Sequence, residues 1–224
     1  MRFLITAGPT REPIDPVRYV SNRSSGKMGY AIAEAALAAG HEVTLISGPV
    51  NLDPPRGAQL VSILTSDEMY KAVHRYTRAC DVLVMCAAVA DYKPAKVSAT
   101  KIKKRNATLS LELVPSRDIL ASLPKRDRHC LVVGFAAETN DLEKNAQKKL
   151  RAKNCDIIVA NDVSRADSGM ESDANEVTIF FRNGGREKIL RASKKIIARR
   201  LVKIFLDSRE KRLTKKNVVI TELV

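Results

Sequence analysis

Two short stretches of this sequence carry residue types at spacings suited to chemistry on anions. The first, VRYVSNRSSGKMG (17–29), leads into an Ala-rich segment. Gly26 and Gly29 allow close backbone approach, and a helix starting beside them would turn its N–H groups and positive dipole end towards an anion. Arg18 adds a cation. Asn22 adds an amide that both donates and accepts, able to hold a carboxylate and then its developing oxyanion; the bland alternative is a helix cap or turn residue. The second stretch, AAVADYKPAKVSATKIKK (87–104), sets small residues where a flat ring could lie against backbone, then Asp91, then a group of lysines. That combination suits a nucleoside triphosphate with its divalent cation, because lysine acts as a point charge on phosphates and Mg²⁺ takes only one or two carboxylates. No GxxxxGK[ST] is present, so a P-loop is excluded.

Such clusters need strand ends to hold them. RFLITAG reads as a buried strand, GYAIAEAALAAG (29–40) as a helix closed by Gly40, and HEVTLISGP and QLVSIL as further strands. SDEMYKAVHRYTRA reads as an amphipathic helix with Ser66 as N-cap. DVLVMCAAVA and HCLVVGFAAET are continuous apolar runs of the kind buried on both faces of a sheet. NDLEKNAQKKLRAKN reads as a helix, CDIIVAND as a strand, EVTIFFRNGGREKIL as a hairpin about Gly184 and Gly185, and ASKKIIARRLVKIFLDSREK as a last helix. This alternation implies an α/β fold, a Rossmann-like, mostly parallel sheet flanked by helices, in one domain spanning 1–224. Ligands of such sheets gather at the carboxyl ends of the strands. Here those ends read TAGPT, SGP, AAVADY, FAAET and ANDV, all rich in small or polar residues. The segment 93–117 breaks the alternation. Its basic run and the period-two TLSLELV are expected to form strands outside the parallel sheet, used for pairing with a second subunit.

Composition narrows the partners. The chain has 224 residues, 45% of them apolar and 29% charged, with no apolar run near bilayer length. The opening FLI is too short for a signal sequence, so a cytoplasmic location and no membrane partner are expected. Cys80, Cys86, Cys130 and Cys155 form no CxxC pair, which leaves reduced thiols; Cys86 and Cys155 read as core packing. The net charge of +14 favours anionic partners, nucleic acid among them. With 4% aromatic residues and no Trp, base-stacking platforms are poorly supplied, and the basic tail reads as a solvated helix face. A nucleic-acid binder therefore explains the charge but none of the strand-end motifs. A nicotinamide-dependent oxidoreductase would need an acidic ribose anchor after the second strand, where TLISGPV has none.

Taken in order, ITAGPTREPIDPVRYVSNRSSGKMG, VTLISGPV, CAAVADYKPA, KIKK, VGFAAET and ANDVS resemble phosphopantothenoylcysteine synthetase, the ligase step of coenzyme A biosynthesis. The likeness is to the bacterial form, often fused behind a flavin-dependent decarboxylase. It implies joining of 4'-phosphopantothenate to the amine of L-cysteine through an acyl-cytidylate made from CTP with Mg²⁺, releasing pyrophosphate and then CMP. Residue by residue, it implies that Asn22 contacts the acyl-cytidylate, Arg18 belongs to the substrate site, and Lys101 helps form the activated intermediate. The implied substrate contacts are Arg18, Asn22, Ser24, Ser25 and Gly26; the nucleotide contacts are Ala87, Asp91, Lys101, Phe135, Lys149 and Lys153, with Asp91 the candidate metal ligand. A family Asn-Pro-Asp nucleotide contact reads Ser116-Arg117-Asp118 here, so only Asp118 is retained. A homodimer is implied. Because Met1 lies three residues before the matching region, the expectation is ligase activity alone, no FMN, and a separate decarboxylase. The cysteines, His41, His74 and His129 have no role in this chemistry.

Overall fold

The computed structural model describes residues 1–104, 108–124, 128–138, 141–162 and 172–221. Parts of KIKKRN, KRDRH, FAAET, NDLEKN and ANDVS fall outside the described residues. In chain order the elements are β1 (Arg2–Ala7), β2 (Arg11–Pro13), β3 (Tyr19–Ser21), α1 (Lys27–Ala38), β4 (Glu42–Ser47), β5 (Gln59–Ser62), α2 (Ser66–Thr77) and β6 (Val82–Met85). They continue with β7 (Tyr92–Pro94), β8 (Leu113–Pro115), β9 (Leu131–Glu138), α3 (Leu142–Ala152), β10 (Ile157–Asp162), β11 (Ala174–Phe181), β12 (Arg186–Ser193) and α4 (Lys194–Thr221).

Eight strands form one sheet in the order β12-β11-β10-β9-β6-β1-β4-β5. All pairings from β5 to β10 are parallel, and β11 and β12 are added antiparallel. Numbered by the parallel strands alone, the order is 3-2-1-4-5-6, the doubly wound arrangement whose direction of winding reverses between β1 and β6.

Alternation along each strand feeds two cores. Phe3, Ile5 and Ala7 of β1, with Val82, Val84, Val133 and Val159, pack under α1 and α4. Leu4, Leu83, Val132 and Ile158 point to the other face, against Met69 and Val73 of α2 and Ala146 and Leu150 of α3. Burying each such aliphatic side chain contributes about 1.5–3 kcal/mol. The sheet is thus covered on both sides, and its carboxyl edge is left for ligands.

Four details depart from the sequence expectation. The DVLVMCAAVA strand stops at Met85, because the buried Thr6 Oγ1 captures the N–H groups of Cys86 and Ala87, each at 3.1 Å, and peels the chain off the sheet. Thr65, not Ser66, caps α2. Its extended backbone aims its hydroxyl at Glu68 N, while the Glu68 carboxylate returns to the N–H groups of Leu64 and Thr65. Ser66 is the first helical residue, and its N–H is taken at 2.8 Å by the buried Glu12. The long opening loop contains the β2–β3 ribbon. Finally, among its described residues 93–117 does form strands outside the main sheet, but only Leu113–Pro115 pairs regularly, with Tyr92–Pro94. A two-stranded ribbon offers TLSLELV no further neighbour, and Leu109, Leu111 and Leu113 stay exposed.

Candidate active site

The site lies where β1 and β6 end. The loops leaving these neighbouring strands are laced together: Ala88 N donates to Gly8 O at 2.9 Å, Thr10 N to Ala88 O at 3.2 Å, and Ala90 N to Thr10 Oγ1 at 3.0 Å. Backbone polar groups that the sheet no longer serves are thereby satisfied locally. Asn22 Nδ2 donates to the same Ala88 O at 3.1 Å. A primary amide carries two N–H donors, so this bond orients Asn22 and leaves its second N–H for a ligand.

Glycine is required twice at the entry to α1. Gly26 caps the helix at φ +75°, a left-handed conformation costly for other residues. A Cβ on Gly29 would stand 2.6 Å from Ala7 Cβ, so its absence lets the first turn of α1 lie against the end of β1. The helix N-terminus is thus presented beside Asn22.

Two cavities share one wall. The first, about 270 Å³, is lined by Asn22, Ser24, Ser25 and Gly26, with Lys27, Asn161, Asn175 and Lys194. The second, about 250 Å³, is lined by Ser116, Arg117, Asp118 and Lys153. Ala87, Asp91, Phe135 and Lys149 line both. Of the residues singled out in the sequence, Asn22, Ser24, Ser25 and Gly26 line only the first cavity, and Ser116, Arg117, Asp118 and Lys153 only the second. A larger open depression is lined by α3 and its N-cap alone, Lys144, Lys148 and Arg151 among them.

The lysines of the second cavity are already oriented. Lys149 Nζ donates to Phe135 O at 2.7 Å, and Lys153 pairs with Asp118. Burial pushes the Asp118 carboxyl up, but the Lys153 bond, the Ala121 N–H and the Lys149 charge outweigh it and hold the group below its ordinary range. Lys153 sits one residue past α3, as its C-cap. Arg117 lies 3.9 Å from Asp67 and 5.3 Å from the centroid of the Tyr70 ring. Asp67 also pairs with Lys93, tying the β7–β8 ribbon to α2. Among the described residues no group of three or more His, Cys, Asp or Glu is placed to cage a metal. Asp91 is an exposed single carboxylate, which fits a cation held mainly by phosphate oxygens.

Arg18 and Lys101 line neither cavity. The Arg18 guanidinium is held by the buried Asp15 through Nε at 3.0 Å and Nη2 at 2.6 Å, and Nη2 also donates to Ile102 O at 2.6 Å. Asp15 in turn accepts from the backbone N–H groups of Val17, Arg18 and Ile102. Burial alone would raise the Asp15 pKa; these donors instead hold it far below the usual carboxylate range. Together the pair clamps both polar groups of Ile102, the residue after Lys101. Arg18 thus positions the lysine segment within this structure.

Cys86 is half-buried and lines the first cavity, where burial pushes its thiol up to about 12. That shift disfavours the thiolate, the nucleophilic form. His41 stacks on Phe3 and His74 bonds Ser122, away from both cavities. The sequence reading missed Lys27, Asn161, Asn175 and Lys194. Three of them lie more than 130 residues from Asn22 along the chain, and the available signal was the placement of Lys27 and Lys194 as the first residues of helices, where the dipole disfavours cations.

The winding reversal and the paired cavities beside it define a doubly wound α/β protein with a candidate site at its switch point. Residues 1–208 match the model for the DNA/pantothenate metabolism flavoprotein C-terminal domain, and the chain belongs to that family. It is 49% identical over 187 residues to the Coenzyme A biosynthesis bifunctional protein CoaBC of Bacillus subtilis (strain 168), covering 83% of this chain and 46% of that protein. It is 44% identical over 221 residues to the protein of the same name from Escherichia coli (strain K12), covering 97% of this chain and 53% of that one. The chain therefore spans about half the length of these curated relatives. The crystal structure of the C-terminal domain of a CoaBC protein matches with a TM-score of 0.77 at 43% identity, over 90% of this chain and 92% of that one. Among the described residues no helix is long and apolar enough to cross a membrane.

Proposed function

We propose that this chain is a phosphopantothenate–cysteine ligase of coenzyme A biosynthesis, using CTP to activate the acid. The observation that carries this reading is the shared wall: the cavity under Asn22 and the cavity under Lys149 and Lys153 meet at Ala87–Asp91. That is where a carboxylate and an α-phosphate have to meet.

In the first step a carboxylate oxygen of 4'-phosphopantothenate attacks the α-phosphorus of CTP and pyrophosphate leaves. Two anions approach each other, so cations must offset their repulsion. Lys149 and Lys153 hold the phosphates, and the charge of Lys101 adds to theirs. Mg²⁺, held by Asp91, would supply further charge neutralisation on the phosphates. In the second step the cysteine amine attacks the acyl carbon, loses a proton, and CMP leaves. The second N–H of Asn22 stabilises the oxyanion, an interaction worth about 10²–10³ in rate where a single donor is removed. No bond change transfers electrons, so FMN has no part in this half of the pathway.

The exposed stripe of Leu109, Leu111 and Leu113, with Tyr92 and Val97 also exposed on the 92–115 excursion, is the surface on which a homodimer would form.

Pyrophosphate release tests the reading. It is expected to require phosphopantothenate, to proceed without cysteine, and to be faster with CTP than with ATP. Release that needs no acid substrate would contradict it.

A further inference from the structure

Glu12 is a buried carboxylate outside the proposed chemistry. It lies in β2, only 2% exposed, and its Oε1 accepts from the N–H of Ser66, the first residue of α2, at 2.8 Å. There it meets an orphan donor and the positive end of the helix dipole. The helix already has a cap of its own: Thr65 takes the N–H of Glu68, and Glu68 takes those of Leu64 and Thr65. Glu12 is therefore an added acceptor from a different element. Beside it, Arg11 N donates to Leu64 O at 2.8 Å. These two bonds fasten β2 to the entry of α2.

What they fasten leads directly to Asn22. β2 pairs with β3 in the register Arg11 to Ser21 and Glu12 to Val20, and Asn22 is the next residue. Tyr19 and Ser21 of β3 are exposed and Val20 is half-buried. A two-stranded ribbon with so little apolar burial does not place itself; its polar attachments do. Thr10 ties its start to the Ala88 loop, through Thr10 N to Ala88 O and Ala90 N to Thr10 Oγ1, and Ser21 Oγ donates back to Thr10 O at 2.7 Å. Glu12 ties the same ribbon to α2. Resting on the ligase reading, we propose that Glu12 is a positioning residue for Asn22. By holding the β2–β3 ribbon against the N-terminus of α2, it fixes where the Asn22 amide stands beside Ala88, and so serves the step in which cysteine opens the mixed anhydride. Apolar residues of similar volume often stabilise a fold as well as a buried charge does. What the carboxylate adds is direction, one N–H at one distance.

The test measures pyrophosphate release and amide formation separately in the wild-type chain, Glu12→Ala, Glu12→Gln, Asn22→Ala and the Glu12→Ala/Asn22→Ala double variant. Glu12→Ala should slow amide formation about ten- to a hundredfold, the cost of misplacing a reacting group by about 1 Å, while pyrophosphate release changes far less. Glu12→Gln keeps an acceptor oxygen for Ser66 N and should recover most of the loss. With Asn22 already replaced by Ala, the Glu12→Ala change should cost about twofold at most, because the group it acts through is gone. Should Glu12→Ala fail to fold by circular dichroism, Ser66→Pro removes the same bond from its other partner. Proline is accepted at the first helical position, and Thr65 already has the extended backbone that proline requires before it, φ −105° and ψ 162°. The same split between the two steps is expected. A purely structural role would lower the melting temperature and slow both steps together. That result overturns the proposal, as does a folded variant with wild-type amide formation, or a full cost of Glu12→Ala that persists without Asn22. Absence of pyrophosphate release and of amide in the wild-type assay would overturn the ligase reading itself, and is seen before any variant is compared.

Discussion

Asp15 shows how one carboxylate organises the opening loop. It is buried, accepts three backbone N–H groups and holds Arg18, which together fix the turn after β2 and grip Ile102. Its pKa lies below the ordinary 3.8, so its contribution to stability is complete above that value and is lost as the pH falls through the lower, folded one. Asp15→Asn should therefore melt below the wild type at pH 7, and the gap in melting temperature should narrow as the pH falls below about 4. A constant gap down to pH 2 would remove Asp15 ionisation as the cause. Asn22 and Lys101 are separable in the same way. Asn22→Asp should still release pyrophosphate while amide formation falls about 10²–10³-fold, because it loses a donor used only in the second step. Lys101→Gln should fail earlier, at pyrophosphate release. Rapid-quench assays read both steps, and equal losses in both for both variants would dissolve the assignment. At this scale placement was legible where a motif is local: Asn22, Ser24, Ser25, Gly26 and Ala87–Asp91 all line the cavities. Placement was not legible for Arg18 and Lys101, which line neither, because Arg18 is held by Asp15, a partner three residues away that spacing alone does not single out.

The elements were read well where periodicity decides and less well where a side chain overrides it. β6 was expected to run through Ala90, and an apolar run gives no hint that Thr6 on the neighbouring strand will claim the N–H groups of Cys86 and Ala87. The cap of α2 was misplaced by one residue, since Thr65 and Ser66 both have capping hydroxyls and only backbone conformation separates them. Gly29 carries the sharpest prediction here. Gly29→Ala puts a methyl group within van der Waals collision of Ala7 Cβ and Thr6 O, which forces α1 away from β1. The expected cost is about 1–3 kcal/mol, read as a lower denaturation midpoint, with weaker binding of the acid substrate because the helix N-terminus moves with it. A variant of wild-type stability and affinity would show that the helix-to-strand contact is not tight.

For the whole molecule, the parallel strands follow from the alternation of apolar runs with helices. Their order does not, because right-handed crossovers permit more than one doubly wound arrangement. The assembly does not follow so directly. TLSLELV has the period of a strand, yet in the isolated chain its leucines face outward, which is the state expected of a surface awaiting a partner. Leu111→Lys should therefore shift the protein towards monomer in sedimentation or light scattering, and a wild-type chain already monomeric at micromolar concentration would remove the dimer from the account. Charge has a whole-molecule role as well. With a net +14, both cavities sit in a field that draws in anionic reactants, yet they are separated by a single loop of small residues. The central claim is that this loop is where a carboxylate becomes a mixed anhydride. Mass spectrometry of the wild-type protein quenched with phosphopantothenate, CTP and Mg²⁺, cysteine omitted, tests it most directly. Phosphopantothenoyl-cytidylate should accumulate up to the enzyme concentration and vanish when cysteine is added; intact CTP with no such species, in a protein that binds both reactants, would contradict the claim.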